Sequence, residues 1–427
     1  MLTRFLIFSW LTLTCFQTYA ENILPQDGPG ITLMVLRGEV SPLEKLSNSD
    51  GLAKLPAKAG LFRVESNFDA SNKAVEECLK DRKVLAQKGA GALYLCKSLQ
   101  AGNSLALGDI AGWARTMLDV RKIYLENIKP SFKAGDDAEA ITWPHFEAFL
   151  VRRQSGILKP TTTTSVTLPL VNAGGVPVVK ATIHGGLDGK RRDVISDFVV
   201  DTGSTRSILN ERFARSLGLK ITNNFNRDAI GASREVLFNL ADPVDLKMGE
   251  LTLQDVSFST SNDVPINIIG MDLLRQFGAV EMSKESFKIL GRDSRQVCND
   301  NFRLTSLIWG SPMTPRIPAI IRGREELVLL DTGSSTSLEA SGIDLTGFPQ
   351  KDLRTKRIVD LLGERTISYA ESTVTMVLNS RTFNINASVT DQKGMVFPVS
   401  WRMGYDLISK SKLYLDAMHG RACLIEG

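Results

Sequence analysis

The fold of this chain is decided by the stretch FVVDTGS at residues 198–204, because its last four residues occur again at 331–334. The second copy also follows an apolar run, LVLL at 327–330. With average amino-acid usage, Asp-Thr-Gly should occur by chance in roughly one chain in ten of this length. Two copies that both extend to serine and both end a buried-strand pattern are far less frequent. The pattern predicts two strands that deliver Asp201 and Asp331 into tight turns.

The duplication extends well beyond the two tetrapeptides. Ser207 and Ser337 each lie six residues past their aspartate, and VPVV at 176–179 corresponds to IPAI at 317–320. Further on, IIGMDLL from residue 268 is matched by RMGYDLI from residue 402. The same order of segments in both halves predicts two copies of one β-lobe.

Short alternating apolar runs separated by Gly-containing turns predict β structure through the first of these halves. The predicted strands are 166–171, 176–183, 194–200, 236–240, 251–258 and 287–290.

The pattern apolar-apolar-Asp-Thr-Gly-Ser-x-x-Ser, followed about seventy residues later by Ile-Gly-x-Asp-Leu-Leu, resembles the retropepsin-type aspartic peptidases. Two fused copies resemble the bilobal arrangement of pepsins. The resemblance covers residues 163–427 and implies a mainly β, bilobal acid-protease fold, with lobes at 163–295 and 298–427. It also implies an aspartic-type endopeptidase, a hydrolase that needs no metal or other cofactor.

The resemblance gives the two aspartates and the two threonines their roles. Asp201 and Asp331 would form the catalytic pair, and they would share one proton because two like charges so close together cannot both ionise. One carboxylate would draw a proton from a bound water while the protonated partner supports the developing oxyanion. Thr202 and Thr332 would hydrogen-bond across the interface between the lobes.

The remaining loop residues come in pairs, one from each lobe: Gly203 with Gly333, Ser204 with Ser334, and Gly270 with Gly404. The first pair would let the backbone turn beneath the carboxylates without a Cβ clash. The serines would donate to the outer carboxylate oxygens. The last pair would allow a strand to pack closely against each loop.

Two features depart from the pepsin pattern. Arg402 follows Ser400 and Trp401 where the first lobe has an apolar approach, and its charge could act on the aspartates or point outward. The first lobe also has no tyrosine to serve in a flap.

The flap candidates are hairpin tips that contain glycine, which gives a mobile lid. They include Ile230 and Gly231 in the first lobe, and Leu362 and Gly363 in the second. These tips predict a lid from each lobe, with ordinary surface hairpins as the alternative.

The whole chain has the composition of a soluble globular protein with two or three domains. Its 427 residues are 43% hydrophobic and 23% charged, with a net charge of +4 that is spread along the chain. No basic, aromatic-interleaved patch indicates nucleic-acid binding. The first twenty residues, with Arg4 before an apolar stretch and a small residue at Ala20, predict a secretory signal peptide. A lipid anchor at Cys15 is a minor alternative, and no later apolar run reaches the length of a transmembrane span.

Export would place the remaining cysteines in an oxidising compartment. Four cysteines allow three connectivities, and we favour Cys78–Cys96 and Cys298–Cys423, because each pair lies within one predicted unit. A metal site is not expected, since the cysteines lack a C-x-x-C element and the chain has three histidines.

Residues 21–155 predict a small, mostly helical accessory domain or pro-domain. A strand-like run at 31–36 precedes a helix capped by Ser71 or Asn72, a second helix over 92–99, and a third from Asn103. The helical pairs resemble tetratricopeptide-type repeats only loosely, because they lack a fixed period.

Three functions remain open at this stage. The first is an exported, monomeric endopeptidase, periplasmic or secreted, that cleaves peptides or unfolded proteins best at acidic pH. The second is a catalytically silent peptide-binding protein whose helical domain binds a protein partner. The third is a zymogen in which residues 21–155 block the cleft until cleavage near residues 152–154.

Overall fold

The structure is a computed structural model of the chain. It describes residues 30–131, 146–152, 157–159, 165–187, 190–230, 234–290, 298, 300–341, 353–360, 363–390 and 401–425. The predicted signal peptide and the flap residues Gly231 and Leu362 lie outside these ranges.

The chain divides into two compact units. The first comprises Met1–Arg153 with Thr305–Ser311, and the second comprises Gln154–Leu304 with Pro312–Gly427. Nothing in the sequence indicated that residues 305–311 would belong to the first unit.

The first unit is helical, as the sequence predicted. Its α-helices are α1 (Ile31–Arg37), α2 (Val40–Ser47), α3 (Lys54–Val64), α4 (Phe68–Lys80), α5 (Arg82–Leu85), α6 (Ala90–Ala106) and α7 (Ile110–Ile123). Shorter 3-10 or π turns cover Gln87–Gly89, Tyr124–Ile128, Lys129–Ser131 and Phe146–Phe149. Among the described residues, no helix combines the length and the apolar character that crossing a membrane requires.

The run at 31–36 is helical, so the predicted strand is wrong. Ile31, Met34 and Val35 are buried at the i, i+3, i+4 spacing of one helix face, and this burial outweighs the short apolar pattern. The prolines Pro42 and Pro56 stand at the third position of α2 and α3, within the first turn. Backbone N–H groups in the first turn have no acceptor within the helix, so the missing N–H of proline costs no helical hydrogen bond there.

Two of the predicted helix caps are also wrong. Asn67 caps α4, because its side chain accepts a hydrogen bond from the Ala70 backbone N–H at 3.1 Å. Asn103 lies inside α6, where its amide donates to Ser71 Oγ at 2.9 Å, and Asp109 caps α7 instead. Both Ser71 and Asn103 are buried and bonded to each other, so tertiary contacts use the polar groups that the local pattern assigned to caps.

The structure contains the disulfides Cys78–Cys96 and Cys298–Cys423, which are the pairings favoured from the sequence. The first joins α4 to α6 within the helical unit. Each cross-link restricts the unfolded chain, and the second closes the longer loop, since its cysteines are 125 positions apart in the sequence.

The second unit is built from β-strands. In its first half they are β1 (Ile157–Lys159), β2 (Val166–Pro169), β3 (Val171–Ala173), β4 (Val176–Leu187), β5 (Lys190–Val200), β6 (Ile208–Asn210), β7 (Ile221–Ile230), β8 (Arg234–Ala241), β9 (Val244–Met248), β10 (Leu251–Val256), β11 (Ser259–Ser261), β12 (Asn267–Ile269), β13 (Ala279–Met282) and β14 (Ser286–Ile289).

In the second half they are β15 (Arg303–Ser306), β16 (Met313–Ile321), β17 (Arg324–Asp331), β18 (Leu338–Ala340), β19 (Leu353–Asp360), β20 (Gly363–Leu378), β21 (Arg381–Val389), β22 (Trp401–Gly404), β23 (Lys412–Asp416) and β24 (Arg421–Ile425). Short helices accompany the strands: α8 (Glu211–Ser216), α9 (Met271–Gln276) and α10 (Tyr405–Ile408).

The two halves share one sheet topology. The strand order β4-β5-β12-β6-β11-β8-β7 of the first half is matched strand for strand by β16-β17-β22-β18-β21-β20-β19 in the second. The directions agree as well, since β5–β12 and β17–β22 are both parallel, as are β6–β11 and β18–β21. The predicted internal duplication of a β-lobe is therefore confirmed.

A third sheet joins the two lobes. Its order is β2-β14-β13-β23-β24, and β13 of lobe one pairs with β23 of lobe two in an antiparallel ladder. Because this sheet contains strands from both lobes, it ties together the two structures that carry the Asp-Thr-Gly loops.

Candidate active site

Each Asp-Thr-Gly loop begins where a central strand ends. Asp201 follows the buried end of β5, and its backbone N–H donates to the Ile269 carbonyl of β12 at 2.9 Å. In lobe two, Asp331 is the last residue of β17 and is paired with Gly404 of β22. The central position of these strands presents both aspartates from rigid elements.

Threonine side chains lock the two loops together through four hydrogen bonds. The Thr202 backbone N–H donates to Thr332 Oγ1, and the Thr332 backbone N–H donates to Thr202 Oγ1, both at 3.0 Å. Each hydroxyl then donates to a carbonyl of the opposite strand: Thr202 to Leu330 at 2.8 Å and Thr332 to Val200 at 2.7 Å. Because each threonine makes the same bonds to the opposite loop, the two loops have a local two-fold arrangement, and both threonines are fully buried.

The two carboxyl groups meet above the loop glycines. The Gly203 N–H donates to Asp201 Oδ1 at 2.8 Å, and the side chains of Asp201 and Asp331 are hydrogen-bonded to each other. A Cβ built on Gly203 would lie 2.6 Å from Asp331 Oδ1, and one on Gly333 would lie 2.5 Å from Asp201 Oδ2. Only glycine therefore lets the two carboxyl groups come this close.

The environment raises the pKa of Asp201 to about 7. Burial is the main cause and the neighbouring Asp331 charge is the second, while the Gly203 and Ser204 backbone N–H groups act in the lowering direction. Burial also raises the pKa of Asp331, and the positive charge of Arg402 opposes that rise. The Asp331 side chain keeps 13% exposure, which leaves the pair accessible to water.

Arg402 faces the aspartate pair, which answers the question left open by the sequence. Its Nη1 lies 3.5 Å from Asp331 Oδ2, and its Nη2 donates to Glu339 Oε2 at 2.9 Å. Arg402 lies on β22 directly opposite Glu339 of β18. Sequence reasoning missed Glu339, although an acidic residue between Leu338 and Ala340, eight positions past Asp331, was a signal for it.

Both serine hydroxyls form hydrogen bonds within their own loops. Ser204 Oγ donates to the Arg206 carbonyl at 2.8 Å, and Ser334 Oγ is hydrogen-bonded to Thr336 Oγ1 at 2.9 Å. Because a hydroxyl has one proton, Ser204 does not donate to a carboxylate in this arrangement. The donation by Ser334 stays a prediction.

The second glycine of each lobe lies close to the backbone of its loop. A Cβ on Gly270 would lie 2.5 Å from the Arg206 carbonyl oxygen, and one on Gly404 would lie 2.7 Å from that of Ser334. These two glycines let β12 and β22 approach the loops closely.

The aspartates two positions after these glycines stabilise the loops by accepting hydrogen bonds from loop serines. Asp272 accepts from Ser207 Oγ at 2.7 Å and from the Ser207 N–H at 2.8 Å. Asp406 accepts from Ser337 Oγ in the same way. Both aspartates belong to the duplicated motif in the sequence, but no role had been assigned to them.

The flap candidates lie at the ends of two equivalent hairpins. Ile230 pairs with Arg234 where β7 meets β8, and Gly363 pairs with Asp360 where β19 meets β20. The tips between them fall outside the described residues, so both hairpins remain candidates. Within the part of the chain that the structure describes, no group of three or more His, Cys, Asp or Glu side chains could hold a metal ion.

A comparison with protein families matches residues 187–276 to the family described as "gag-polyprotein putative aspartyl protease". This segment contains the first Asp-Thr-Gly loop and the strand that packs against it. Together with the duplicated lobes and the locked loops, the match shows that the second unit has the aspartic peptidase fold. A comparison with curated proteins finds no match.

Solved structures similar to this chain include an aspartic proteinase from Irpex lacteus, with 12% sequence identity and a TM-score of 0.42. The similarity covers 62% of this chain and 97% of that one. Basic 7S globulin from soybean is 13% identical with a TM-score of 0.37, over 61% of this chain and 95% of its own. Conglutin gamma, a basic 7S globulin from lupine seeds, is 10% identical with a TM-score of 0.36, over 62% and 95%.

Proposed function

We propose that this protein is an exported aspartic endopeptidase that cleaves extended or unfolded polypeptides with a water activated between Asp201 and Asp331. One observation carries the proposal: the two carboxyl groups are hydrogen-bonded to each other between two loops that buried threonines lock together. Two carboxyl groups this close together could act as acid and base on the same water molecule.

The chemistry requires one carboxyl group to be protonated and the other to be ionised. The ionised group takes a proton from water, whose oxygen attacks the peptide carbonyl carbon. The protonated group hydrogen-bonds to the carbonyl oxygen as negative charge develops there. The pKa of about 7 for Asp201 supports a shared proton that persists from acidic to nearly neutral pH.

The expected substrate is an extended peptide. The long hairpins β7–β8 and β19–β20 occupy equivalent places in the two lobes. A peptide bound between them could add as a strand, with backbone hydrogen bonds providing affinity and pockets providing selectivity. This mode of binding suits unfolded segments better than folded domains.

The two disulfides support export, because such bonds persist in oxidising compartments. With the predicted signal peptide, they favour residence in a bacterial periplasm or secretion. We expect the protein to act as a monomer, since one chain supplies both aspartates.

A second candidate is a peptide-binding protein without turnover. The contact of Arg402 with Asp331 favours it, because a permanent counter-ion on one aspartate is absent from the family pattern. The following test distinguishes the two functions.

Cleavage of dye-labelled, unfolded casein is measured from pH 3 to 8 with the mature chain. We expect activity in the parent and a loss on the order of 10³-fold or more in Asp201→Asn and in Asp331→Asn. The matched control is Asp197→Asn, an exposed aspartate on the same strand β5, which should retain the parent rate. If the folded parent shows no cleavage across this range, the binding function is favoured. Equal cleavage by parent and dyad variants would contradict the mechanism.

A further inference from the structure

The second lobe carries an ion pair at positions where the first lobe carries apolar residues. On β22, Arg402 lies opposite Glu339 of β18. In lobe one, the residues at the corresponding positions are Ile268 of β12 and Leu209 of β6, and both are buried. The fold therefore accepts apolar residues here, and a structural requirement for charge is not the reason for the arginine.

Arg402 bridges two carboxylates with different nitrogens. Nη1 lies 3.5 Å from Asp331 Oδ2, and Nη2 lies 2.9 Å from Glu339 Oε2. The side chains of Arg402 and Glu339 are only 17% and 9% exposed, so their charges are weakly screened by water. Glu339 thus holds the guanidinium in the orientation that reaches the aspartate pair.

The net charge of the two aspartates, Arg402 and Glu339 together equals the charge of two aspartates that share one proton. With Asp201 protonated, the ionised Asp331 and Glu339 and the cationic Arg402 carry a net charge of −1. Because Glu339 cancels the arginine charge at longer range, Arg402 stabilises the nearest carboxylate without removing the shared proton. The charge therefore distinguishes the two aspartates, which the loops alone would leave equivalent.

We propose that Arg402, oriented by Glu339, is a positioning residue that keeps Asp331 ionised and so makes Asp331 the base and Asp201 the acid. The assignment of these two roles rests on the proposed peptidase function. The position of the proton is a property of the folded protein and can be tested without activity.

The resulting steps balance in protons and bonds. As the water oxygen bonds to the carbonyl carbon, one water proton passes to Asp331 and the Asp201 proton passes to the carbonyl oxygen. The two aspartates have then exchanged charge states. When the C–N bond breaks, Asp331 gives its proton to the amide nitrogen and Asp201 takes one from a hydroxyl of the tetrahedral carbon, which restores the starting state.

The ionisable groups that face Asp331 come from three elements. Asp201 faces it from the loop of lobe one, Arg402 from β22, and Glu339 from β18 behind the arginine. The Arg402 charge and the hydrogen bond from Asp201 both favour the ionised form of Asp331, whereas the Glu339 charge acts against its ionisation. Removing Arg402 and removing the Glu339 charge should therefore change the titration of Asp331 in opposite directions.

The test is a ¹³C NMR titration of protein labelled at the aspartate carboxyl carbons, with signals assigned through Asp201→Asn and Asp331→Asn. We expect Arg402→Met to raise the pKa of Asp331 by about one unit or more. Glu339→Gln keeps an acceptor oxygen for the guanidinium and removes only the negative charge, so it should lower the pKa of Asp331. The acid limb of the casein pH–rate profile should move with these values. The matched control is Arg303→Met, which removes a surface ion pair to Glu325 in the same lobe and should leave the titration unchanged.

A double variant guards against misfolding of the single variants. Arg402→Ile with Glu339→Leu gives both positions the residues found at the corresponding positions of lobe one, Ile268 and Leu209, and replacing a buried ion pair by apolar residues is often neutral for stability. It should show the same upward shift of the Asp331 pKa as Arg402→Met.

The outcomes distinguish the proton assignment from the peptidase function. An unchanged Asp331 titration, or shifts of the same sign in Arg402→Met and Glu339→Gln, would overturn the inference whether or not casein is cleaved. Opposite shifts would support the location of the proton. Opposite shifts without casein cleavage by the parent would leave the proton assignment standing and contradict the peptidase function.

Discussion

At the residue scale, the shifted titration of Asp201 links the site to stability. Its pKa is about 7 in the folded protein, whereas an ordinary aspartate has a value of 3.8. Between these values the folded chain holds a proton that the unfolded chain has released, so the free energy of unfolding falls as pH rises. Below this pH window Asp201 is protonated in both the folded and the unfolded chain, and above it Asp201 is ionised in both. The carboxyl pair thus costs stability at neutral pH.

Replacing Asp201 by asparagine should remove this dependence. We expect the stability of Asp201→Asn relative to the parent to increase from pH 4 to pH 8 by on the order of 4 kcal/mol, at about 1.4 kcal/mol per pKa unit. Urea unfolding at several pH values measures the difference. The exposed Asp197→Asn should follow the parent at each pH. Parallel curves for Asp201→Asn and the parent would show that Asp201 titrates normally.

At the element scale, the loops depend on the threonine lock. The hydroxyl of Thr202 accepts from the Thr332 N–H and donates to the Leu330 carbonyl, and all of these groups are buried. Valine has nearly the same shape but leaves both backbone groups without their partner. An unsatisfied buried polar group costs about 1–3 kcal/mol.

Thr202→Val should therefore lower the free energy of unfolding by about 2–4 kcal/mol and reduce casein cleavage, because the aspartates are no longer held in register. Thr202→Ser retains the hydroxyl and should preserve most of both properties. A matched control is Thr373→Val on β20, where the hydroxyl is exposed. Urea unfolding and cleavage rates check these values. Equal stability of the valine and serine variants would contradict the role of the hydroxyl.

At the scale of the whole molecule, the helical unit contains a segment from the C-terminal half of the chain. The buried Arg63 of α3 donates to Ser306 Oγ and to the Leu307 and Ile308 carbonyl oxygens, each at 3.0 Å. Trp113 Nε1 donates to the Trp309 carbonyl at 3.3 Å. Because residues 305–311 form part of the helical unit, we expect the N-terminal fragment to stay bound to the rest of the chain after a cut near residue 153.

A protein cut at an inserted protease site near residues 153–156 should therefore remain one particle in size-exclusion chromatography. Neither disulfide crosses this cut, since each joins cysteines on the same side of it. Urea should separate the two fragments, and Arg63→Met should lower the concentration required, because it removes the hydrogen bonds to residues 306–308. Separation of the fragments in buffer alone, with a gain in casein cleavage, would favour the zymogen alternative.

Much of the fold was predictable because its signals are local or repeated. The apolar strand, tight turn and serine around Asp201 follow from neighbouring residues, and their repetition at Asp331 required two equivalent lobes. The helical character of the first unit was also readable from periodicity. The cap at Asn67 and the helix at 31–36 were not, because burial and tertiary hydrogen bonds decided between local alternatives of similar energy.

The sequence by itself determined that two aspartates stand on equivalent loops of a duplicated β-lobe, since turn chemistry and strand periodicity depend on residues close together in the chain. Only the tertiary structure decided that Arg402 bridges Asp331 and Glu339, and that residues 305–311 complete the helical unit. The physical reason is distance along the chain. Arg402 lies 71 residues from Asp331 and 63 from Glu339, and Arg63 lies more than 240 residues from its partners at 306–308. Such contacts depend on the path of the whole backbone, which no local pattern specifies.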